Sequence, residues 1–371
     1  MTTGWLSAFR GVRVLVTGDT GFKGSWLALW LHDVGAVVTG MALPPEDARS
    51  HFSLLSLDRL IRHVDADIRD YASVRGVFER AQPEIVLHLA AQPLVRRSYL
   101  DPKATFDTNV GGSVNVLEAV RHTSSVRALV YITSDKCYRN KNLTRGYVEQ
   151  DELGGRDPYS ASKACAELAF AAYAESFFNS RTPGVASTRA GNVIGGGDWS
   201  QDRIVPDSIT ALMAGRPIVL RNPESTRPWQ HVLEPLSGYL MLAATLMNDP
   251  VACHGAWNFG PAPEAAWTVG ALTQQIIEAW GGGSFRVERP QDAPHEDRLL
   301  SLNADKARLA LGWRPRWSVE RTVAETVLWY KAVADGCPAI DVSRKQIAAY
   351  TACNGDTGDR WRPDHAVATD S

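Results

Sequence analysis

Cysteine is scarce in this sequence of 371 residues, and its distribution argues against two classes of protein. The five cysteines are odd in number, widely scattered and without C-x-x-C spacing: Cys137, Cys165, Cys253, Cys337 and Cys353. Such thiols are typical of a reducing compartment and indicate neither a disulfide scaffold nor a zinc site. We therefore expect a cytoplasmic location and no metal.

Long apolar runs and an excess of one charge are also missing. No stretch reaches the roughly 18 apolar residues that span a bilayer, and the first residues lack the pattern of a secretory signal. The formal net charge is −2, with both signs spread along the chain, which is not the footprint of a nucleic-acid-binding protein. We expect neither a membrane nor a nucleic acid as partner.

The first half alternates short β-branched runs with longer helical stretches, which predicts βαβ units. Strands are predicted at 12–17, 36–40, 62–65, 85–89, 128–133 and 186–190, and helices at 25–34, 72–81, 101–121 and 159–179. The predicted fold class is α/β, a Rossmann-type doubly wound parallel sheet in residues 1–190. Residues 191–353, rich in loops and proline, predict a smaller C-terminal substrate-binding region that can return segments to the sheet. Residues 354–371 are polar, and we expect a flexible tail.

A glycine-rich turn joins the first predicted strand to a helix: Thr17-Gly18-Asp19-Thr20-Gly21-Phe22-Lys23-Gly24. Glycines allow a tight turn and close approach of the backbone to a pyrophosphate, whose charge lies at the helix N-terminus. The position between a strand and a helix makes the motif informative. It predicts a dinucleotide site formed by Gly18, Thr20, Gly21, Phe22, Lys23 and Gly24.

Two further segments follow predicted strands at the same edge of the sheet. Asp67 and Ile68 follow the third strand, where a carboxylate suits the amino group of adenine and an apolar side chain its ring. Leu89-Ala90-Ala91-Gln92 ends the fourth strand with small residues, over which a cofactor can lie. The second strand ends in Gly40-Met41-Ala42-Leu43, without the acid that accepts the ribose hydroxyls of NAD. This criterion leaves NAD and NADP undecided, with Arg49 as a candidate phosphate ligand.

Catalytic side chains are predicted at the end of the fifth strand and in the following helix. Tyr159 and Lys163 form Y-x-x-x-K, a spacing that places both on one helical face. An ammonium group there lowers the pKa of the phenol from about 10 toward neutrality, so that it exchanges a proton with a substrate hydroxyl. Ser134 supplies a hydroxyl to the same substrate oxygen. Asp135 and Lys136 add an acid/base pair that simple alcohol oxidation does not need, which indicates a second proton transfer.

The loop-rich half contains polar groups suited to a nucleotide diphosphate. Arg203, Arg221 and Arg227 lie among loop-forming residues, and guanidinium groups bind phosphate oxygens bidentately. Of these, Arg227 is the first candidate. A second group of substrate-binding candidates consists of Asn192, just past the sixth strand, and the weaker His231 and Arg298. Further cofactor candidates are Asn109, Thr133 and Val193.

Six blocks of the sequence carry a resemblance: TGDTGFKGSW, HLAAQPLVRRSY, TSDKCY, DPYSASKACAEL, GNVIGGGDWSQDRIVPD and RNPESTRPWQHVLEP. Over about residues 12–335 the chain resembles the nucleotide-sugar 4,6-dehydratases of the extended short-chain dehydrogenase/reductase family. The dTDP-glucose dehydratases carry Asp-Glu where this chain has Asp135-Lys136, and epimerases of the same fold generally lack such a pair.

The resemblance implies bound NAD, CDP-glucose or a related nucleotide sugar as substrate, and dehydration to the 4-keto-6-deoxy sugar. In that reaction Tyr159 deprotonates O4, Asp135 protonates the departing C6 hydroxyl, and Lys136 either removes the C5 proton or only orients the substrate. Three alternatives stay open: a nucleotide-sugar 4- or 2-epimerase, a reductase or dehydrogenase, and a catalytically silent NAD(P)-binding protein.

Members of this family commonly pair two helices across a subunit interface, which implies a homodimer, with a tetramer as the alternative. The corresponding helices here are the two predicted at 101–121 and 159–179. Their apolar side chains include Val114, Leu117, Leu168, Phe170, Phe177 and Phe178.

Overall fold

The computed structural model describes residues 4–178, 183–261, 265–288 and 300–353. The strands are β1 (Arg13–Thr17), β2 (Val37–Ala42), β3 (Arg62–Asp65), β4 (Ile85–His88), β5 (Ala128–Ile132), β6 (Gly184–Ala190), β7 (Val193–Ile194), β8 (Ile218–Leu220), β9 (Thr226–Pro228), β10 (Gln230–His231), β11 (Gly255–Phe259), β12 (Ala266–Thr268) and β13 (Phe285–Val287). The helices are α1 (Phe22–Asp33), α2 (His51–Leu54), α3 (Tyr71–Ala81), α4 (Val95–Leu100), α5 (Pro102–Phe106), α6 (Ser113–Arg121), α7 (Pro158–Phe177), α8 (Ile204–Met213), α9 (Leu233–Asn248), α10 (Val269–Trp280), α11 (Asp305–Ala310), α12 (Val319–Ala334) and α13 (Ala339–Ala352).

A parallel sheet of seven strands forms the centre, in the order β11-β6-β5-β4-β1-β2-β3. Its middle strands are almost wholly buried, as expected for a parallel sheet that is covered on both faces. The strand order reverses between β1 and β4, and ligands of such sheets bind at the carboxyl ends of the strands beside this point. The predicted Rossmann-type sheet is confirmed.

The helix predicted over 101–121 is divided into three pieces. Between α5 and α6 lies a π-helical turn, Asp107–Gly112. A Cβ atom on Gly112 would come within 2.6 Å of Ile68 Cγ1, so the turn packs closer to the segment after β3 than a larger residue would allow. Turns of this kind are frequent at functional sites, and this one directs Asn109 toward α7.

The region after β6 is joined to the sheet. β11 pairs in parallel with β6 along its whole length, from Gly255 opposite Ala186 to Phe259 opposite Ala190. α9 is buried along almost all of its length and packs against β5 and β6. No helix of the described ranges combines the length and apolar character needed to span a membrane.

Three of the apolar side chains named for the two helices of the predicted subunit interface pack inside the chain. Leu117, Phe170 and Phe178 belong to a buried cluster formed by α3, α6, α7 and one face of the sheet. Leu168 and Phe177, on other faces of α7, are exposed. Leu117, Phe170 and Phe178 therefore pack onto the sheet and are not available to a partner subunit.

A buried carboxylate joins α9 to the C-terminal helices. Glu234 Oε1 accepts the backbone N–H groups of Arg316 and Trp317 at 2.9 and 2.8 Å, and Oε2 accepts the Tyr350 hydroxyl at 2.7 Å. Burial raises the pKa of Glu234 to about 7. The stability of this junction therefore depends on pH.

Candidate active site

The glycine turn after β1 is packed too tightly for any side chain at two of its positions. A Cβ on Gly18 would lie 2.7 Å from Ala90 N, and one on Gly24 would lie 2.0 Å from Gly18 O. Gly18 also has a φ of +78°, in the left-handed region that favours glycine. The turn thus lies against the end of β4 and opens into α1, an arrangement that fits a nicotinamide dinucleotide.

The other residues of the turn have distinct contacts. Thr20 Oγ1 donates to Leu43 O at 2.9 Å and so braces the segment after β2. Phe22 lies close to Gly195, on which a Cβ would come within 3.2 Å of the ring. Burial and the charge of Arg203 lower the pKa of Lys23 to about 8, while Asp135 opposes this shift. Lys23 therefore faces the catalytic segment as well as the turn.

The two residues predicted to hold adenine are largely engaged with the protein. Asp67 Oδ2 lies 2.5 Å from Arg69 Nη2, and this hydrogen bond lowers the pKa of Asp67. Ile68 is buried against Gly112. The Ile68 side chain packs mainly into the core, and Asp67 shares its carboxylate with Arg69.

Asn109 braces the end of β4 against α7. Its Oδ1 accepts the Gln92 N–H at 2.8 Å, and its Nδ2 donates to Gln92 O at 3.1 Å and to Ser162 Oγ at 2.9 Å. Asn109 is only 1% exposed. All of these contacts are with protein groups, so the structure provides no direct contact between the Asn109 side chain and a cofactor. The backbone from Leu89 to Gln92 stays half-buried beside the glycine turn.

Thr133 and Val193 are the remaining cofactor candidates, and their surroundings differ. The Thr133 hydroxyl donates to the Glu167 carboxylate and contacts Thr188 O at 3.1 Å, so it is turned away from a ligand. Any cofactor contact of Thr133 must come from its backbone. Val193 lies in β7, paired with Gln230, and is partly buried against the main core.

α7 presents the tyrosine of the predicted catalytic set. Asp157 caps the helix by accepting the Ser160 N–H at 2.9 Å, and Pro158 occupies its first turn. The Tyr159 N–H donates to Ser98 Oγ at 3.2 Å, which ties this end of α7 to α4. These contacts fix the first turn of α7, which carries the Tyr159 phenol.

Ser134 interacts with both Tyr159 and Asp135, the two proton donors of the site. The Ser134 side chain is close enough to Tyr159 to act on the pKa of the phenol, which it lowers, and Ser134 Oγ donates to Asp135 Oδ1 at 2.9 Å. A phenol, a hydroxyl and a carboxyl group therefore lie near one another at the carboxyl end of β5. Lys136 follows directly and is half-buried.

Burial dominates the ionisation of the Tyr-Lys pair. It raises the pKa of Tyr159 to about 12, although the Ser134 side chain opposes this. It lowers the pKa of Lys163 to about 8, against the charge of Glu167. The expected lowering of the phenol pKa toward neutrality is therefore not met here, since burial outweighs the nearby cation, Arg203.

Asp135 has the environment of a general acid. Burial raises its pKa, and the charges of Lys136, Lys23 and Arg227 oppose the shift. Its Oδ2 has no hydrogen-bond partner among the described residues and faces Gly191, on which a Cβ would lie 3.2 Å away. A protonated carboxyl group with one unpartnered oxygen can give its proton to a ligand.

Two of the three predicted arginines are held by aspartates. Arg203, at the start of α8, pairs with Asp198 at 2.8 Å. Arg221 pairs with Asp202 Oδ1 at 2.6 Å, and Arg96 of α4 reaches the same oxygen at 3.0 Å. Sequence reasoning missed Arg96, although its place just after the small residues that end β4 was a usable signal.

Arg227 lies on β9, and its charge acts on Asp135, which places it beside the catalytic segment. Asn192 lies between β6 and β7, where its carbonyl accepts the Gln230 N–H at 3.1 Å. Arg49 pairs with Asp47 at 2.7 Å and its guanidinium lies over the Trp199 ring.

One substrate candidate is excluded and another lies outside the described residues. His231 has no exposed surface; its ring centroid is 4.7 Å from that of Trp317, and burial lowers its pKa to about 3. The predicted substrate contact is wrong, since the ring is a core residue. Arg298 lies outside the described residues, as does the predicted tail at 354–371.

A Rossmann-type sheet with Ser, Tyr and Lys at its carboxyl edge is the arrangement of a short-chain dehydrogenase/reductase. The family model described as GDP-mannose 4,6 dehydratase matches residues 15–326. The CDP-glucose 4,6-dehydratase of Salmonella typhimurium is 45% identical over 347 residues, which cover 92% of this chain and 97% of that protein. A dTDP-glucose 4,6-dehydratase of an Actinoplanes species is 28% identical, over 86% of this chain and 98% of that protein. The chain belongs to the GDP-mannose 4,6 dehydratase family.

Solved structures show the same fold. The dTDP-glucose 4,6-dehydratase of Streptomyces venezuelae, solved with NAD bound, has a TM-score of 0.75 at 24% identity and covers 89% of this chain and 100% of that one. The UDP-glucose 4-epimerase of Thermus thermophilus, a complex with NAD, has a TM-score of 0.74 at 25% identity, over 86% of this chain and 99% of that one.

Proposed function

We propose that this chain dehydrates CDP-glucose to CDP-4-keto-6-deoxyglucose with NAD as a cofactor that is regenerated in each turnover. The observation that carries the proposal is the hydrogen bond from Ser134 to the buried Asp135, together with the effect of the same Ser134 side chain on the Tyr159 phenol. This arrangement supports the action of an alcohol-oxidising phenol and an additional buried acid on one substrate. The 45% identity to a CDP-glucose 4,6-dehydratase supports the same reaction and the cytidine nucleotide.

Oxidation at C4 is assigned to Tyr159, with Ser134 orienting the substrate O4. NAD would be held at the glycine turn, where it would supply the hydride acceptor for C4 and the hydride donor for C6. Tyr159 removes the proton of the C4 hydroxyl, and its buried phenol needs nearby positive charge to ionise. The charge of Arg203 acts on the phenol in this sense, and Lys163, one helical turn after Tyr159 on α7, is assigned the same role.

Loss of water is assigned to Asp135 and Lys136. A C4 ketone acidifies the C5 proton, and the C6 hydroxyl then leaves as water once it is protonated. The raised pKa of Asp135 keeps the proton available, and the unpartnered Oδ2 is the atom that gives it. Lys136 is assigned the C5 proton, because it is adjacent to Asp135 in the same turn. It removes this proton before water leaves and returns it to C5 after the hydride has reached C6.

The nucleotide diphosphate is assigned to the cationic group formed by Arg96, Arg221 and Arg227. The first two share Asp202 Oδ1, and a diphosphate offers each of them a bidentate partner. On this proposal residues 1–190 hold NAD and the catalytic set, and residues 191–353 hold mainly the nucleotide sugar. The five unpaired thiols agree with a cytoplasmic location for this enzyme.

We also propose a homodimer formed through α7 and the helices beside it. Exposed apolar side chains on α4, α5 and α7 support this: Tyr99, Leu100, Phe106, Leu168 and Phe177. Leu168→Glu should give a monomer in light scattering. Leu309→Glu, which changes a still more exposed leucine on α11, is the control and should leave the dimer intact. Monomeric wild-type protein would contradict the proposal.

The experiment that tests the function uses purified protein with NAD and CDP-, UDP-, GDP- or dTDP-glucose. Mass spectrometry should show rapid loss of water from CDP-glucose and slow or no loss from the others. A change of configuration without loss of mass would indicate an epimerase. Stoichiometric formation or use of NADH would indicate a dehydrogenase or reductase.

A further inference from the structure

A buried ion pair lies directly behind the catalytic helix. Glu167 Oε2 is 2.7 Å from Arg189 Nη2, and the side chains are 2% and 4% exposed. Glu167 is one helical turn after Lys163 on α7, and Arg189 lies on β6. Because desolvation offsets most of the attraction, a buried pair is a weak source of stability. Its contacts point to a positional role.

The pair holds both ends of the segment from Thr133 to Tyr138, between which the catalytic residues at the end of β5 lie. At one end, the Thr133 hydroxyl donates to Glu167 Oε1. At the other end, Arg189 Nη1 donates to the Tyr138 hydroxyl at 2.7 Å, and the guanidinium lies over the Tyr138 ring. One ion pair therefore fixes the segment on both sides.

The pair is itself anchored to the sheet. Ser187 Oγ on β6 donates to Glu167 Oε2 at 2.9 Å. The Tyr138 hydroxyl in turn donates to Asn258 Oδ1 on β11 at 2.8 Å. Contacts from two neighbouring strands and α7 thus converge on this pair and on the segment it holds.

We propose that Glu167 is a positioning residue. With Arg189 it clamps the Thr133–Tyr138 segment against the helix that carries Tyr159, and its negative charge keeps Lys163 in the ammonium form. The proposal deepens the proposed function, since it concerns the same reaction.

The electrostatic part concerns the groups around Lys163. They are Glu167 on its own helix, Cys137 after β5, Lys23 of the glycine turn and His88 at the end of β4. Burial lowers the pKa of Lys163, and Glu167 opposes that shift. Besides Lys163, the charge of Glu167 acts on three groups from neighbouring elements: Arg189 on β6, Tyr131 on β5 and Cys137.

The first test separates charge from geometry at position 167. Glu167→Gln should move the alkaline limb of the kcat profile down by about one pH unit and lower kcat at neutral pH roughly 10-fold to 100-fold. Glu167→Asp keeps the negative charge, so the alkaline limb of the kcat profile should stay at the wild-type pH. Its kcat should be lower, because the aspartate side chain is shorter and holds the segment less well. A folded Glu167→Gln enzyme with the wild-type limb and kcat within about twofold overturns the proposal.

The second test keeps the ion pair between Glu167 and Arg189 intact. Tyr138→Phe removes the hydroxyl at the far end of the clamp. Tyr350→Phe is the matched control, since it removes a buried tyrosine hydroxyl from the Glu234 carboxylate, outside the catalytic set. We expect kcat to fall at least about fivefold in Tyr138→Phe and to stay within about twofold in Tyr350→Phe. Equal kcat values in the two variants overturn the clamp, whether or not Glu167→Gln folds.

These rates are measured with whichever nucleotide hexose the wild-type enzyme dehydrates, so a wrong nucleotide leaves the test intact. If the wild-type enzyme dehydrates none, the proposed function has failed, and the clamp is tested by hydrogen exchange. Amides of Thr133–Tyr138 should exchange faster in Tyr138→Phe than in Tyr350→Phe. Equal exchange in both variants overturns it.

Discussion

The Asp19 carboxylate lies directly against Gly40: a Cβ on Gly40 would come within 1.9 Å of Asp19 Oδ2. The same oxygen is 2.7 Å from His63 Nδ1 on β3, and Asp19 has no exposed surface. This contact explains why β2 lacks an acid near its end. The space beside the strand is filled by a carboxylate from the glycine turn, and only glycine leaves room for it.

Gly40→Ala should therefore displace Asp19 and the turn that holds the cofactor. We expect the free energy of unfolding to fall by about 1–3 kcal/mol and NAD to bind more weakly, as measured by thermal melting and calorimetry. Gly111→Ala is the control, because a Cβ there meets no atom within 4 Å. An unchanged melting temperature and affinity in Gly40→Ala would show that the turn does not depend on this contact.

Asp135→Asn should separate oxidation from loss of water. The amide keeps the shape and can still accept from Ser134, but it has no proton to give to the C6 hydroxyl. We expect product formation to fall at least about 100-fold, while the absorbance of reduced nicotinamide still appears when substrate is added. Product formation at nearly the wild-type rate would remove Asp135 from the mechanism.

Lys136→Met tests the assignment of the C5 proton. If Lys136 is the base, exchange of C5 hydrogen for solvent deuterium should fall in step with product formation, as measured by mass spectrometry. Exchange at the wild-type rate would mean that another group removes the proton and that Lys136 only orients the substrate.

Glu234 predicts a pH dependence of stability. Its pKa is raised from 4.5 to about 7 in the folded chain, so its contribution is present below about pH 4.5 and is lost as pH rises to about 7. Relative to Glu234→Gln, the wild-type free energy of unfolding should fall by on the order of 3 kcal/mol across this window. Urea unfolding at several pH values measures it. Glu320→Gln, an exposed acid on α12, should follow the wild-type curve, and a parallel Glu234→Gln curve would contradict the assignment.

Local patterns made much of the fold predictable. β1, the glycine turn and α1 follow one another within 21 residues, from Arg13 to Asp33, so their order needs no distant contact. The Y-x-x-x-K spacing and the Ser-Asp-Lys turn were equally readable. The division of the 101–121 helix was not, because it depends on the close approach of Gly112 to Ile68.

The errors at the candidate site also come from contacts between residues that are distant in the sequence. Histidine is a residue type that often binds ligands. The ring of His231, however, packs against Trp26 and Trp317, which are far apart in the sequence. Asn109 and Thr133 lie beside the cleft, yet contacts from α7 engage their polar atoms. A residue's type and its place after a strand do not reveal which neighbour its side chain meets.

The most direct test of the reaction is the fate of the hydrogen at C4. The enzyme is incubated with CDP-glucose deuterated at C4 and a catalytic amount of NAD, and the product is analysed by NMR. Transfer of deuterium to C6 of a 4-keto-6-deoxy product is the predicted result, because oxidation, elimination and reduction occur at one site. Deuterium retained at C4 would contradict it, since the sugar would then never have been oxidised there.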